Sequence, residues 1–210
     1  SEIVRPTRDG IHGREYINTV VSLGRKLASV TFDDDGEPVL DAPREIEIPI
    51  PMIFGTLPFG SVSPQVYLAM AKAAEELNTL IEIPAEAWDT ELEQYARSII
   101  PLLSTEQIET HGHLIEPAPV VEIEDSDRSD EILKELKEKH PDTVVMVRAM
   151  LNQNSGERVE AVADAGADMI HVYADRNGNV RGENHTWFVK DVVRQVHNHL
   201  VEKSMRDNVT

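Results

Sequence analysis

The sequence contains no cysteine, few aromatic residues and a shortage of positive charge. Without cysteine, the chain can form no disulfide, no cysteine nucleophile and no iron–sulfur cluster of its own. Aromatic residues make up 5% of the 210 residues, so the core must be built mainly from aliphatic side chains. Lysine and arginine number 20 against 38 aspartate and glutamate residues, which gives a formal net charge of -18. This acidic balance argues against nucleic acid and anionic membrane surfaces as partners.

The sequence also lacks any long hydrophobic run. No apolar stretch approaches the roughly 20 residues that a membrane-spanning helix requires, and no charged-then-apolar signal segment follows Ser1. We therefore expect no membrane partner, and the absence of cysteine is compatible with a cytoplasmic location. The length suits one domain or a piece of one, and 40% hydrophobic and 28% charged residues are ordinary values for a globular protein.

Strand-like apolar segments alternate with helical segments along most of the chain. Strands are predicted near residues 50–54, 80–83, 119–123, 144–148 and 169–173. This alternation is typical of parallel βα units, and strands that are apolar almost throughout fit a sheet covered on both faces. Residues 1–45 are more polar, and we predict an N-terminal extension with a hairpin turn at Asp35-Gly36. The βα domain is then residues 46–210.

The alternation leaves two architectures open. A closed (β/α) barrel needs eight strands, whereas an open doubly wound sheet needs only five or six. The sequence supplies about five βα units, and their spacing is compatible with either arrangement. A choice between the two has to come from particular motifs.

Two segments carry such motifs. Residues 51–63 read P-M-I-F-G-T-L-P-F-G-S-V-S and are followed by an alanine-rich helix. Ala165 to Ile170 read A-G-A-D-M-I and follow the strand at 144–148. These blocks are similar, in order and spacing, to two blocks of the FMN-dependent barrel of the glutamate synthase family. The resemblance covers residues 46–210 and implies an α/β fold, a parallel (β/α) barrel of TIM type that is incomplete, with about five of its eight units present.

The resemblance also implies a chemistry. In that family FMN serves the reductive amination of 2-oxoglutarate to glutamate, through 2-iminoglutarate. The residues implied in cofactor binding follow the first strand: Gly55, Thr56, Gly60, Ser61 and Ser63. Arg148 is the implied catalytic residue, because it stands where the family carries a lysine whose charge stabilises reduced flavin or substrate carboxylates. Electrons would arrive from outside this chain.

Departures from the family pattern keep a second hypothesis open. L-I-E-I-P at residues 80–84 and A-D-R-N-G-N at residues 174–179 stand in place of two active-site loops of the family. The alternative is a non-catalytic split or degenerate half-barrel that acts as a structural or regulatory subunit. A third interpretation is an unrelated five-stranded α/β enzyme. Because a partial barrel exposes strand edges, we expect another chain or copy to complete it, unless the sequence is a fragment of a longer chain or folds differently from its relatives.

No metal site is predicted from the histidines. His111 and His113 have no acidic or cysteine partner at motif spacing, and His197 and His199 face different directions on a predicted helix. His171 lies inside a predicted strand, where we interpret it as a hydrogen-bonded barrel residue rather than a catalytic one.

Overall fold

The computed structural model describes residues 20–25, 31–33, 35–39, 44–57, 63–175, 177–181 and 186–210. The first described residues form two antiparallel pairs of short strands. These strands are β1 (Val21–Gly24), β2 (Thr31–Phe32), β3 (Pro38–Val39) and β4 (Glu45–Ile48). β1 pairs with β4, and β2 pairs with β3. The turn between β2 and β3 contains Gly36 at φ +83°, which confirms the hairpin predicted at Asp35-Gly36.

A five-stranded parallel sheet forms the centre of the fold. Its strands are β5 (Ile81–Pro84), β6 (Ile99–Leu103), β7 (Val120–Glu124), β8 (Val144–Met150) and β9 (Met169–Tyr173). They lie side by side in chain order, and every neighbouring pair is parallel. A doubly wound sheet would instead reverse its strand order at a switch point.

Helices connect the strands and complete the described chain. The α-helices are α1 (Pro64–Glu76), α2 (Ser129–Lys139), α3 (Ser155–Asp164) and α4 (Val189–Glu202). Short 3-10 helices occupy Ala85–Ala87, Thr90–Ser98 and Gly112–Leu114. Between β9 and α4 lies an antiparallel pair, β10 (Asn179–Arg181) and β11 (Thr186–Phe188). No helix among these described elements is long and apolar enough to cross a membrane.

The helices pack on one face of the sheet, which we call the outer face. Alternate strand residues point to it because side chains in a strand change face at each residue. α1 packs on Ile81 and Ile83, and α2 packs on Val121 and Val145. α3 and α4 pack together against the outer face of β9. Sequential strand order with helices on a single face is the arrangement of a partial TIM-type barrel, and the described residues do not close it.

Among the described residues, the β1–β4 pair covers one end of the opposite, inner face. Leu23 and Ile48 from the β1–β4 pair pack against inner-face residues near the starts of the strands. These inner residues are Leu80, Ile100, Val120, Val144, Met146 and Met169. The pair therefore closes the N-terminal end of the curved sheet with an apolar layer and leaves the carboxyl ends of the strands to polar side chains.

Both edges of the sheet carry partial strands. Phe54 forms an isolated parallel bridge with Ile81, through hydrogen bonds from Phe54 N to Leu80 O and from Glu82 N to Phe54 O. At the other edge, Thr210 donates to Asp168 O and accepts from Ile170 N. The strand predicted at 50–54 is thus wrong apart from this single bridge, and the apolar stretch at 99–103, not counted among the predicted strands, supplies β6.

The sequence also predicts a helix from Trp88 to Arg97 and a buried face of α1 that includes Val66 and Leu77. The first segment is a 3-10 helix, Thr90–Ser98, and Asp89 caps it by accepting a hydrogen bond from Glu91 N. Val66 and Leu77 are instead 40% and 47% exposed. The buried residues of α1 are Tyr67, Ala71 and Ala74. Small alanines let α1 approach β5 closely, and that packing overrides the face that the larger apolar residues suggest.

The A-G-A-D segment has a structural explanation. Gly166 follows α3 with φ +107°, a conformation that lets the chain leave the helix and that favours glycine. Asp168 is 2% exposed, and its Oδ2 accepts a hydrogen bond of 2.8 Å from Val145 N and pairs with Lys137 Nζ. One carboxylate therefore ties α2, β8 and the start of β9 together.

Replacing Asp168 by alanine should destabilise the fold by about 2–3 kcal/mol, because a buried N–H and a lysine lose a charged partner. The matched control is Asp164→Ala, since Asp164 is exposed at the end of α3 and should change stability by less than about 0.5 kcal/mol. Urea unfolding followed by circular dichroism measures both. Equal effects of the two substitutions would contradict the bridging role of Asp168.

Candidate functional site

Polar side chains gather on the inner face toward the carboxyl ends of the strands. They are Glu82 on β5, Glu122 on β7, Arg148 on β8 and the pair His171 and Tyr173 on β9. All five sit at positions that alternate with helix-facing residues, so the pleat of each strand turns them inward. The carboxyl ends of parallel strands are where α/β folds place ligand and active sites.

His171 lies between the two carboxylates. Its Nδ1 is 2.7 Å from Glu122 Oε1 and 3.1 Å from Glu82 Oε1. Glu122 is fully buried and Glu82 is 4% exposed, whereas the His171 side chain keeps 30% of its surface accessible. The imidazole is thus the group of this trio that solvent or a ligand can reach.

The contact between Glu82 and His171 requires a strongly curved sheet. β5 and β9 are the first and fifth strands, and four strand intervals of about 4.8 Å would separate them by about 19 Å in a flat sheet. Two side chains cannot span that distance and also lie 3.1 Å apart. The sheet therefore curls around its inner face, as barrel strands do.

Arg148 lies beside this trio and joins it to the loop after Phe54. Its Nη2 donates to Thr56 Oγ1 at 3.3 Å, and its Nη1 is 4.0 Å from Glu82 Oε2. The guanidinium carbon is 4.8 Å from the centre of the Tyr173 ring, a cation–π distance. Thr56 N also donates to Glu82 Oε2 at 3.4 Å. The arginine is held from three sides by polar and aromatic groups.

The charges of the site are linked to one another. Burial raises the pKa of Glu122 above its ordinary value, the nearby Glu82 raises it further, and His171 and Arg148 offset only part of the shift. Burial alone would lower the pKa of His171, but its hydrogen bonds to Glu122 and Glu82 outweigh burial and raise that pKa to about 9. At neutral pH His171 is therefore a cation, so that two cations, His171 and Arg148, face the inner side of the sheet.

The residues predicted for the site are partly brought together. Arg148 and Thr56 are in direct contact, and a Cβ atom added to Gly55 would lie 3.7 Å from Glu82 Oε2. Ser63 precedes α1, and within the described residues its side chain makes no capping hydrogen bond. Gly60 and Ser61 lie outside the described residues. The roles assigned to these residues stay predictions.

The trio around His171 was not among the residues predicted for the site. Glu82, Glu122 and His171 are separated by 40 and 49 positions, and no motif spacing connects them. One signal was present: Glu82 and Glu122 are charged residues inside otherwise apolar strands, where a buried charge needs a partner. His171 becomes this partner only through the curvature of the sheet, and no local sequence pattern predicts that curvature.

The fold and the site define an α/β protein with a partial TIM-type barrel and a charged inner face. No protein-family model matches the chain. It is similar to the archaeal glutamate synthase (NADPH) of Archaeoglobus fulgidus, with 26% identity over 128 residues, 59% of this chain and 25% of that protein. The archaeal-type glutamate synthase (NADPH) of Thermotoga neapolitana is 24% identical over 127 residues, with the same two coverages. The match thus spans about a quarter of the length of these curated relatives.

We expect the pKa of His171 to lie well above its ordinary value. In protein treated with EDTA, the His171 imidazole should titrate near pH 9 rather than 6.5, and Glu122→Gln should lower this value because an anionic acceptor is lost. NMR titration of the imidazole protons measures it, with His171→Gln to assign the signal. A midpoint near 6.5 would contradict the site geometry.

The same shift links stability to pH. Because the folded pKa lies above the unfolded value of 6.5, the stabilisation is complete below about pH 6.5 and is lost as pH rises through 9. The free energy of unfolding can fall by about 3 kcal/mol over this pH range. Unfolding curves of His171→Gln should not show this pH dependence.

Proposed function

We propose that this chain contributes the substrate-facing part of a flavin-dependent oxidoreductase of the glutamate synthase type, a cytoplasmic enzyme acting on 2-oxoglutarate and glutamate. The two relatives named above, both glutamate synthases (NADPH), support this proposal. The proposed barrel part is residues 46–210, preceded by the extension at residues 1–45.

The observation that carries the proposal is the position of Arg148. It lies on the inner face of a curved parallel sheet, in contact with Thr56 of the loop after Phe54, which is the loop that resembles the flavin-binding loop. Its side chain is 18% exposed, so the guanidinium is sheltered yet reachable. An arginine in that position can grip a carboxylate through two parallel hydrogen bonds.

The described residues fit the ring end of a flavin and a dicarboxylate substrate. Arg148 supplies a positive charge on the inner face, which suits a reduced flavin or a substrate carboxylate, whereas Glu82 and Glu122 offset the charge of protonated His171. Gly55 and Thr56 would hold the ring edge, since glycine allows close approach of the backbone. The sequence contains no G-x-G-x-x-G or G-x-x-x-x-G-K loop for the phosphate. We assign the phosphate site to the part that completes the barrel, whether further sequence or another chain or copy supplies it.

When bound, FMN would supply the hydride for reduction of an imine. The chain's own residues would then act in two ways. Arg148 would contact the flavin ring and orient a substrate carboxylate, and Glu82 and Thr56 would hold its guanidinium in place. This arrangement keeps a positive charge close to the substrate at neutral pH, because arginine remains protonated.

The second candidate, a non-catalytic half-barrel, is favoured by one observation. After β9 the described chain forms a turn at Gly178 and the β10–β11 pair, within residues 177–181 and 186–188. In the glutamate synthase family, the loop after the fifth strand would instead carry active-site residues. A subunit of this kind would bind neither flavin nor substrate. Direct measurement of flavin binding separates the two candidates.

We expect the protein to retain FMN through gel filtration and to quench its fluorescence on titration. Arg148→Met should weaken FMN binding by at least about tenfold, because a charge-assisted hydrogen bond of about 1.5 kcal/mol or more is lost. Arg194→Met is the matched control, since Arg194 is exposed on α4 and its loss removes the same charge from a distant surface.

A folded, defined oligomer that retains no FMN would contradict the flavin proposal and favour the structural subunit. If Arg148→Met and Arg194→Met retain FMN equally strongly, the protein binds flavin but Arg148 does not contribute to the flavin site.

A further inference from the structure

Glu82, Glu122 and His171 form a second feature of the inner face that the proposed flavin chemistry does not use directly. One ligating atom from each residue lies within 4.8 Å of the others. Nδ1 of His171 is the common neighbour, 2.7 Å from Glu122 Oε1 and 3.1 Å from Glu82 Oε1. Three potential ligands therefore converge from β5, β7 and β9 on one point.

Burial distinguishes this trio from a surface cluster of acids. Glu122 is 0% and Glu82 is 4% exposed. Buried carboxylates are retained in proteins when they are paired or when they coordinate a metal, because desolvation of an anion is costly. His171 provides one shared hydrogen bond for two carboxylates, which leaves part of their acceptor capacity unused.

A separate observation points to a missing ligand. Among the described residues, Oε2 of Glu122 is buried and has no hydrogen-bond partner. A fully buried carboxylate oxygen without a donor is rare, and each case calls for an explanation such as a bound ion. The oxygen belongs to the side chain whose other oxygen contacts His171, so an ion at this point could be bound by Glu122 and His171 together.

We propose that Glu82, Glu122 and His171 bind a divalent transition-metal ion of the zinc class. A ligand set of one imidazole nitrogen and carboxylate oxygens suits Zn²⁺, Co²⁺, Mn²⁺ or Fe²⁺, whereas Mg²⁺ and Ca²⁺ prefer oxygen ligands alone. Three protein ligands leave at least one coordination position open, as in catalytic rather than structural metal sites. Because 30% of the His171 side chain is exposed, an ion can reach this ligand from solvent.

The surrounding charges set the position and strength of the site. Arg148 Nη1 is 4.0 Å from Glu82 Oε2, so a cation is favoured on the Oε1 side of Glu82, where Nδ1 of His171 lies. The Arg148 guanidinium also packs over the ring of Tyr173, with its carbon 4.8 Å from the ring centre. The ion would take the place of the proton that now lies between the imidazole and the carboxylates.

The test uses the whole chain after treatment with EDTA and gel filtration. Calorimetric titration with ZnCl₂ should show one tight site per chain, and CoCl₂ should give visible absorption bands of a low-coordinate ion. MgCl₂ should bind far more weakly. Glu122→Gln and His171→Gln should each weaken Zn²⁺ binding by at least about 100-fold, since each removes a direct ligand.

The matched control is His199→Gln. His199 is also paired with a carboxylate, with Nε2 2.5 Å from Glu160 Oε2, but on the outer helices and partly exposed. Its substitution should leave the tight site intact. Glu82→Gln provides a second ligand variant if one of the others does not fold, as judged by circular dichroism.

Absence of a tight site in the wild-type chain would overturn the proposal. It would also fall if Glu122→Gln and His171→Gln bound Zn²⁺ as the wild type does, because the ions would then occupy surface histidines only. Binding of Mg²⁺ as tight as that of Zn²⁺ would contradict the proposed class of ion. None of these readouts depends on FMN, so failure of the flavin proposal and failure of the metal proposal are distinguishable.

Discussion

His171 lies between two carboxylates that reach it from the first and third strands of the sheet, and the shape of the fold depends on this contact. Glu82 and His171 can touch only if the five strands curl around their inner face. The same curvature places the described helices on the outer face of the sheet. On the inner face, the β1–β4 pair packs apolar side chains at one end of the strands, and the charged groups occupy the other end.

The division of the inner face into an apolar and a polar half gives the site its chemical character. Two carboxylates, an imidazolium and a guanidinium lie within one network, and each is stabilised by a neighbour of opposite charge or by Tyr173. Such a network can receive an anion at Arg148, or exchange the His171 proton for a metal ion. The proposed flavin and metal functions draw on different members of it.

Local patterns predicted four of the five strands of the sheet. The strands expected at 80–83, 119–123, 144–148 and 169–173 correspond to β5, β7, β8 and β9, because each is determined by residues close in sequence. The strand expected at 50–54 failed because only Phe54 reaches the edge of the sheet. β6 was not counted as a strand, since a short apolar run after a helical segment does not reveal its pairing.

The candidate site was less predictable for a physical reason. Arg148 and Thr56 were found through resemblance to a family, and they are in contact. Glu82 and Glu122 were visible only as charges inside apolar strands, and His171 as a polar residue in another. Their meeting depends on strand order and sheet curvature, which are properties of the whole sheet. No window of local sequence contains that information.

The most direct test of this account is a double-mutant cycle between the first and last strands. Unfolding free energies would be measured in urea for the wild type, Glu82→Gln, His171→Gln and the double variant, at neutral pH and without metal. If the sheet curls as described, the two substitutions should be non-additive by about 1 kcal/mol or more, because each removes a partner of the same contact. Effects that add within about 0.5 kcal/mol would mean that Glu82 and His171 do not interact, and would contradict the curved sheet on which the site depends.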